Sequence, residues 1–181
     1  MKNVVLLSGG VDSALILAKL VESNEKVWTV SFEYQQPAQS ECLSAEKLAE
    51  HYGVTWCASN FSVLSSGTWG FAEWSDMNEP HQIVLKNRNA MFLSLASAYG
   101  DRLFIGAIKN DQELFKDCRR EFFDAMEKVL DVEICTPLIN MTKEEVLEEA
   151  RSIGVPLHLC MSCYRGNNCG RCLSCIERGE L

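Results

Sequence analysis

Apolar positions change period several times along the chain, and each change marks an element. Residues 3–7 form a short continuous apolar run, the pattern of a buried strand. From Val11 to Glu22 apolar residues recur at positions 11, 14, 15, 17, 18 and 21, which is one face of a helix. Residues 26–32 (KVWTVSF) are rich in β-branched and aromatic side chains and predict a second strand. Ser40–Tyr52 predicts an amphipathic helix with Leu43, Ala45, Leu48, Ala49 and Tyr52 on its apolar side, closed by Gly53. Residues 54–58 read as a third strand.

Between residues 60 and 86 the pattern weakens, interrupted by Ser65-Ser66-Gly67 and Asn78-Glu79-Pro80. Loops this long in compact domains are often lids or binding segments. Residues 88–99 return as a helix ending at Gly100, and residues 102–106 as a fourth strand. Residues 109–116 read as a polar loop, and 116–130 as a helix with Phe122, Phe123, Met126 and Val129 on one side. Residues 133–136 predict a fifth strand. Thr142, with Glu145 three residues on, forms a capping box for a helix to Ile153, which Gly154 and Pro156 stop. Alternating strands and helices predict an α/β domain with a mostly parallel sheet covered on both faces.

Composition narrows the function classes. A chain of 181 residues, 47% apolar and 23% charged, suits one soluble globular domain. The net charge of −8, from 17 basic and 25 acidic residues, disfavours a nucleic-acid partner, which usually meets a basic face. No run approaches the roughly 20 apolar residues of a membrane span. The apolar stretch after Met1-Lys2-Asn3 is too short for a secretion signal. The expectation is a cytoplasmic protein with reduced thiols, no membrane and no nucleic acid. Nine cysteines is a high count, and Cys160, Cys163, Cys169, Cys172 and Cys175 crowd one segment. Clustered thiols in a reducing compartment point to metal.

The turn between the first strand and first helix reads Leu7-Ser8-Gly9-Gly10-Val11-Asp12-Ser13. Open α/β sheets bind ligands at such turns. Two glycines let the backbone approach an anion, Ser8 and Ser13 offer hydroxyls, and the helix terminus adds unpaired N–H groups. Asp12 would repel a phosphate, and makes sense there as a ligand of magnesium that bridges to phosphate oxygens. The plainer alternative is a tight turn in which Asp12 or Ser13 caps the helix. The string lacks the Gly-Lys-Ser/Thr of a Walker loop.

Cys163, Cys169, Cys172 and Cys175 lie on a short segment where Gly166 and Gly170 allow sharp turns. Four thiolates suit a closed tetrahedral zinc site, which would staple a tail too short to bury its own core. An iron–sulfur cluster uses the same ligand set, and metal-free thiols are a third reading. Cys160 is an alternative fourth ligand and His158 a further candidate. The segment spans residues 158–178 of one domain covering 1–181.

SGGVDS resembles the pyrophosphate loop of the PP-loop ATP pyrophosphatases, whose fold is of the adenine nucleotide alpha hydrolase-like, Rossmann-like type. Further strings occur in order: Arg88-Asn89, then Asp117-Cys118-Arg119 with Glu121-Phe122, then Thr136-Pro137-Leu138 with Lys143 and Glu145. Ser162-Cys163-Tyr164 and Cys169-Gly170-x-Cys172-x-x-Cys175 complete the set. Together they resemble the 7-cyano-7-deazaguanine synthase family over nearly the whole chain. The resemblance implies a structural zinc, a homodimer, and an activity that converts 7-carboxy-7-deazaguanine and ammonia to the nitrile with magnesium and ATP.

That chemistry requires no protein nucleophile. The site must position groups and stabilise negative charge, and Arg88, Lys109, Arg119 and Lys143 are the candidates, with Asn89, Asp111 and Asp117 beside them. Each has a structural alternative. Arg119 could pair with Glu121 or Asp124, Lys143 could be solvated in its helix's first turn, and Asp111 and Asp117 could cap or turn a loop. Cys118 reads as packing. Phe32 or Tyr34 could flank adenine or belong to the core.

The chain departs from the family pattern at Tyr34-Gln35-Gln36-Pro37-Ala38, at Lys86-Asn87, and at Gln112-Glu113-Leu114-Phe115-Lys116. It is also shorter, which the resemblance places mainly at the C-terminus. Competing expectations are a relative that stops at the amide or uses another acid, a tRNA thiolase, and a nucleotide-binding module without catalysis.

Overall fold

The structure, a computed structural model, describes residues 1–34, 40–60, 87–161, 163 and 175. Among these, five parallel strands form one sheet: β1 (Asn3–Leu6), β2 (Val27–Glu33), β3 (Thr55–Asn60), β4 (Arg102–Phe104) and β5 (Glu133–Cys135). Their order across the sheet is β3-β2-β1-β4-β5. β1 is central, with Val4 opposite Trp28 of β2 on one side and Leu103 of β4 on the other. Successive strands step away from β1 in one direction up to β3, then the chain returns to β4 on β1's other flank. That reversal opens a crevice at the carboxyl ends of β1 and β4, where such sheets take ligands.

Strand alternation divides the core into two layers. Val5 and Leu7 point to a cluster built with α1 (Val11–Glu22), α2 (Ser40–Tyr52) and α6 (Lys143–Ser152). Val4 and Leu6 point to the opposite cluster, with Leu93 of α3 (Arg88–Ala96) and Phe123 of α5 (Arg120–Leu130). Phe123 is fully enclosed, so truncating it to alanine would cost about 3–5 kcal/mol. The strand and helix sequence, the parallel sheet and its two covered faces match the pattern reading, and the Thr142–Glu145 capping box is present on both sides.

Four local expectations are corrected. Residues 109–116 are not a loop throughout: α4 (Lys109–Leu114) is a short helix. The expected helix from 116 is divided into a 3-10 turn over Lys116–Cys118 and α5, separated by Arg119 in extended conformation (φ −90°, ψ 151°). Val129 is exposed, because six residues beyond Phe123 turn it about 120° off the buried face. Leu43 is likewise exposed, while Cys42, Ala45, Leu48 and Ala49 form the buried side of α2. The long 60–86 segment, and the departures at 35–38 and 86, lie outside the described residues apart from Asn60.

Candidate phosphate and adenylation site

The turn from β1 into α1 is closely braced. Leu7 donates its N–H to Val30 (2.8 Å), and its carbonyl accepts from the Ser31 hydroxyl (2.6 Å). The Ser8 N–H donates to the Ser13 hydroxyl (3.2 Å), which in turn donates to the Gly10 carbonyl (3.0 Å). Gly9 has φ +84°, a left-handed conformation that strains any residue with a Cβ. A Cβ there would also collide with the Glu41 carbonyl of α2. Gly106, just beyond β4, is needed for a different reason. A Cβ at that position would press on the Asp12 Cβ (3.1 Å) and the Ser13 nitrogen (3.3 Å).

Gly10 is the N-cap of α1, and having no side chain it leaves that terminus without a capping side-chain hydrogen bond of its own. Helix geometry leaves the N–H groups of Val11, Asp12 and Ser13 without helical acceptors. Val11 and Ser13 are buried and Ser8 is exposed at the crevice. The loop can therefore present backbone donors and the positive end of the helix to an anion. The alternative in which Asp12 or Ser13 caps α1 does not occur.

Lys143, in the first turn of α6, reaches this loop. Its Nζ lies 2.7 and 2.8 Å from the two Asp12 carboxylate oxygens. Lys143 is only 6% exposed, so the solvated reading is set aside. Both Asp12 oxygens thus face an ammonium, and a magnesium ion at Asp12 would have to displace it. Asp111 of α4 accepts from the Ile108 N–H (3.2 Å). Burial raises its carboxyl above the ordinary range, the nearby Asp12 charge adds to this, and the Ile108 N–H, Lys143 and Arg88 oppose it. Lys109 is exposed at the start of α4, and its backbone N–H donates to Met141 (2.9 Å).

A second group sits at the start of α3. The Asn89 amide donates to the Asp117 carbonyl (2.8 Å) and to the Cys118 sulfur (3.3 Å). The Asp117 carboxylate accepts from the Asn89 backbone N–H (3.1 Å), so it caps α3. The Arg88 guanidinium lies 5.7 Å from the Phe92 ring centre and is hydrogen-bonded with the Tyr34 side chain. Burial, and next the charges of Asp111 and Asp117, push the Cys118 thiol up to about 12. It is a neutral packing group at working pH, as its sequence context implied.

Arg119 is exposed and donates from Nε to the Gln112 carbonyl (2.9 Å). The carboxylate pairing expected for it belongs to its neighbour, since Arg120 binds Asp124 at 2.7 Å and Thr136 at 2.9 Å. The Phe32 ring stacks on Phe92, with centres 4.6 Å apart and planes 11° apart, and Tyr34 tilts against the same ring at 5.3 Å. Gly106, Asn110 and Met161 were missed by pattern reading, because only contacts between distant segments give them a role. Asn110 accepts from the Lys143 backbone N–H (3.2 Å), and Met161 donates to the Gly9 carbonyl (2.8 Å).

In the cysteine segment, Cys163 and Cys175 are buried together against Met161. Cys169 and Cys172 lie outside the described residues. Among the described residues no group of three or more metal-ligating side chains is gathered. Cys160 packs into the main core beside α1 and α6, in a different cluster from Cys163 and Cys175. Among the described residues no helix is long and apolar enough to cross a membrane.

A parallel sheet with this strand order, carrying SGGVDS at its first strand–helix turn, defines an α/β protein of the PP-loop superfamily. Solved structures of that superfamily share the fold. The NMN synthetase of Francisella tularensis is 19% identical with a TM-score of 0.58, over 87% of this chain and 63% of that one. The U34-tRNA thiolase NcsA of Methanococcus maripaludis, with its [4Fe-4S] cluster, is 18% identical with a TM-score of 0.58, over 91% and 63%. The sequence profile of the queuosine biosynthesis protein QueC matches residues 2–180. The chain belongs to that family.

Among curated relatives, the 7-cyano-7-deazaguanine synthase of Caldicellulosiruptor saccharolyticus is 34% identical, covering 99% of this chain and 90% of the relative. That of Thermoplasma acidophilum is 34% identical over 98% and 85%. The first match runs over 202 aligned positions against a chain of 181 residues, so the relative has additional residues inside the matched span. The length difference is therefore not confined to the C-terminus.

Proposed function

We propose that this chain is an ATP-dependent ligase that converts 7-carboxy-7-deazaguanine and ammonia to 7-cyano-7-deazaguanine. The observation that carries the reading is the Ser8-Gly9-Gly10 turn, with Gly10 as the N-cap of α1, in a chain whose residues 2–180 match the QueC profile. ATP, accompanied by magnesium, is assigned to Leu7, Ser8, Gly9, Gly10, Val11, Asp12 and Ser13, with Phe32 beside the crevice.

A carboxylate is a poor electrophile because its oxygen cannot leave. Attack of that oxygen on the α-phosphorus of ATP forms an acyl adenylate and releases pyrophosphate. Ammonia then displaces AMP and, after losing a proton, leaves the amide. Adenylation of the amide oxygen by a second ATP makes that oxygen a leaving group. Loss of AMP and of the amide protons forms the nitrile. The chain's role is to hold the polyphosphate on backbone donors and to place cationic groups near developing charge. Arg88, Lys109 and Arg119 are assigned the latter role, with Asn89, Asp111 and Asp117 shaping the wall they stand on.

Zinc is assigned to Cys163, Cys169, Cys172 and Cys175. The shared burial of Cys163 and Cys175, in a cluster separate from the two core layers, supports it. A closed four-thiolate site would contribute folding energy and no chemistry. The expected assembly is a cytoplasmic homodimer without nucleic acid.

Incubation with 7-carboxy-7-deazaguanine, ammonium and magnesium ATP tests the reading. The expected products are the nitrile, AMP and pyrophosphate, identified by mass. Amide without nitrile would make the chain an amidating relative. Absence of AMP release with this acid would overturn the assignment.

A further inference from the structure

α1 and α6 are joined by two ion pairs that follow the same order along both helices. Asp12 meets Lys143 near the two N-termini, and Lys19 meets Glu149 (2.6 Å) further along. The second is an ordinary, partly solvated pair. The first is not, because Lys143 is withdrawn from water and stands in the first turn of its helix, where the terminal N–H groups repel a cation. An ammonium in that place needs a close partner, and both oxygens of Asp12 supply it.

Asp12 has the complementary problem. It stands in the first turn of α1, the terminus assigned above to polyphosphate, where an uncancelled carboxylate would repel the ligand. Its position is set from two sides. Gly106 lies against its Cβ, and the start of α6 and the residues just before it are stitched to the start of α4 through Lys143 N–H to Asn110 and Lys109 N–H to Met141. Asp111 adds further negative charge nearby, and Lys143 acts against it as well.

We propose that Lys143 is a positioning residue of the phosphate site: its ammonium clamps both oxygens of Asp12 and cancels that charge, leaving the N-terminus of α1 able to receive a polyphosphate. The proposal rests on the assignment of ATP to this loop. Lys143 acts through Asp12 without touching phosphate, and the counter-ion of Asp12 is this ammonium in place of a magnesium ion.

Calorimetric titration with ATP and with inorganic pyrophosphate, each with and without magnesium, tests it on the full chain and on K143M, D12N and D12N/K143M. An unmutated chain that binds neither ligand removes the ATP assignment itself. Where it binds, K143M is expected to weaken both ligands about tenfold or more, as an exposed like charge would. D12N/K143M is expected to return to within about threefold of the unmutated chain, since the charge that Lys143 cancels is gone. Added salt narrows the K143M defect, because the Asp12 side chain is 24% exposed and open to screening. In turnover K143M raises KM for ATP by a larger factor than it lowers kcat.

A double variant as weak as K143M would put Lys143 on the phosphates and overturn the proposal. Loss of the magnesium dependence of binding in D12N would make Asp12 a metal ligand, with the same consequence. If K143M does not fold, D12N/K143M alone decides, since neutral groups of similar size replace the pair. Binding near the unmutated level supports the proposal and lost binding overturns it.

Discussion

The backbone N–H of Met161 donates to the carbonyl of Gly9 at 2.8 Å, which ties the entrance of the cysteine segment to the phosphate loop. Met161 also packs on Cys163 and Cys175. The order of a tail segment and the shape of a nucleotide loop are therefore mechanically connected, although 152 residues separate them in the sequence.

Under the zinc assignment proposed above, metal removal is expected to propagate along this connection. Treating the purified protein with a strong zinc chelator is expected to lower its Tm and to speed hydrogen exchange at amides 9–13 relative to α5. Mass spectrometry of the peptides reads this directly. Loop exchange that does not change on chelation would show that Met161 keeps its place without metal.

Gly9→Ala tests the loop itself. The left-handed backbone alone costs a residue with a Cβ about 1–2 kcal/mol. The added methyl meets the Glu41 carbonyl, with Ser44 Cβ at 3.0 Å and the Ala45 nitrogen at 3.1 Å. A lower Tm and a raised KM for ATP are expected together, because α2 or the loop must shift to make room. An alanine variant with unchanged melting and unchanged KM would contradict the geometry.

Asp111 predicts a pH signature. Its carboxyl is raised above the ordinary value in the folded protein, chiefly by burial. A group raised in the fold holds its proton more tightly there than in the unfolded chain. The folded state is thus favoured at acid pH, and that advantage is lost as pH rises through the folded value. Asp111→Asn keeps an acceptor for the Ile108 N–H and carries no charge. It is expected to melt higher than the unmutated chain at neutral pH, with the gain shrinking as pH falls. Melting curves across the acid range check the sign, and an asparagine variant less stable at neutral pH than at acid pH, relative to the unmutated chain, would reverse it.

Cys118 should be dispensable for the chemistry. With its thiol pushed up to about 12, it supplies almost no thiolate at neutral pH. In Cys118→Ser a hydroxyl can take the Asn89 amide hydrogen bond now made to sulfur. Turnover within about threefold of the unmutated rate is expected if the residue only packs. Loss of activity in a variant that still melts normally would assign the thiol a direct part.

Much of the fold was legible because it depends on neighbours in sequence. The 3.6-residue pattern of Val11–Glu22, the apolar runs of β1 and β2 and the Thr142–Glu145 box are all local, and each appears where its pattern put it. The misplaced features depend on distant partners. α4 is a six-residue polar helix held by tertiary contacts such as Gln112 to the Ile139 carbonyl (2.6 Å), which propensity does not reveal. The break at Arg119 follows from Asp117 and Cys118 being drawn to Asn89.

The sequence by itself determined the type of protein: a parallel α/β sheet, a glycine turn at its first helix and a four-cysteine tail, all set by side-chain period and backbone chemistry over a few residues. Only the tertiary structure decided which site residues meet. Asp12 and Lys143 are 131 positions apart, and they meet because the strand order places β4 beside β1 and packs α6 along α1. No local pattern encodes that adjacency. It arises when the sheet closes its two apolar faces, and the roles of charge in the crevice follow from it.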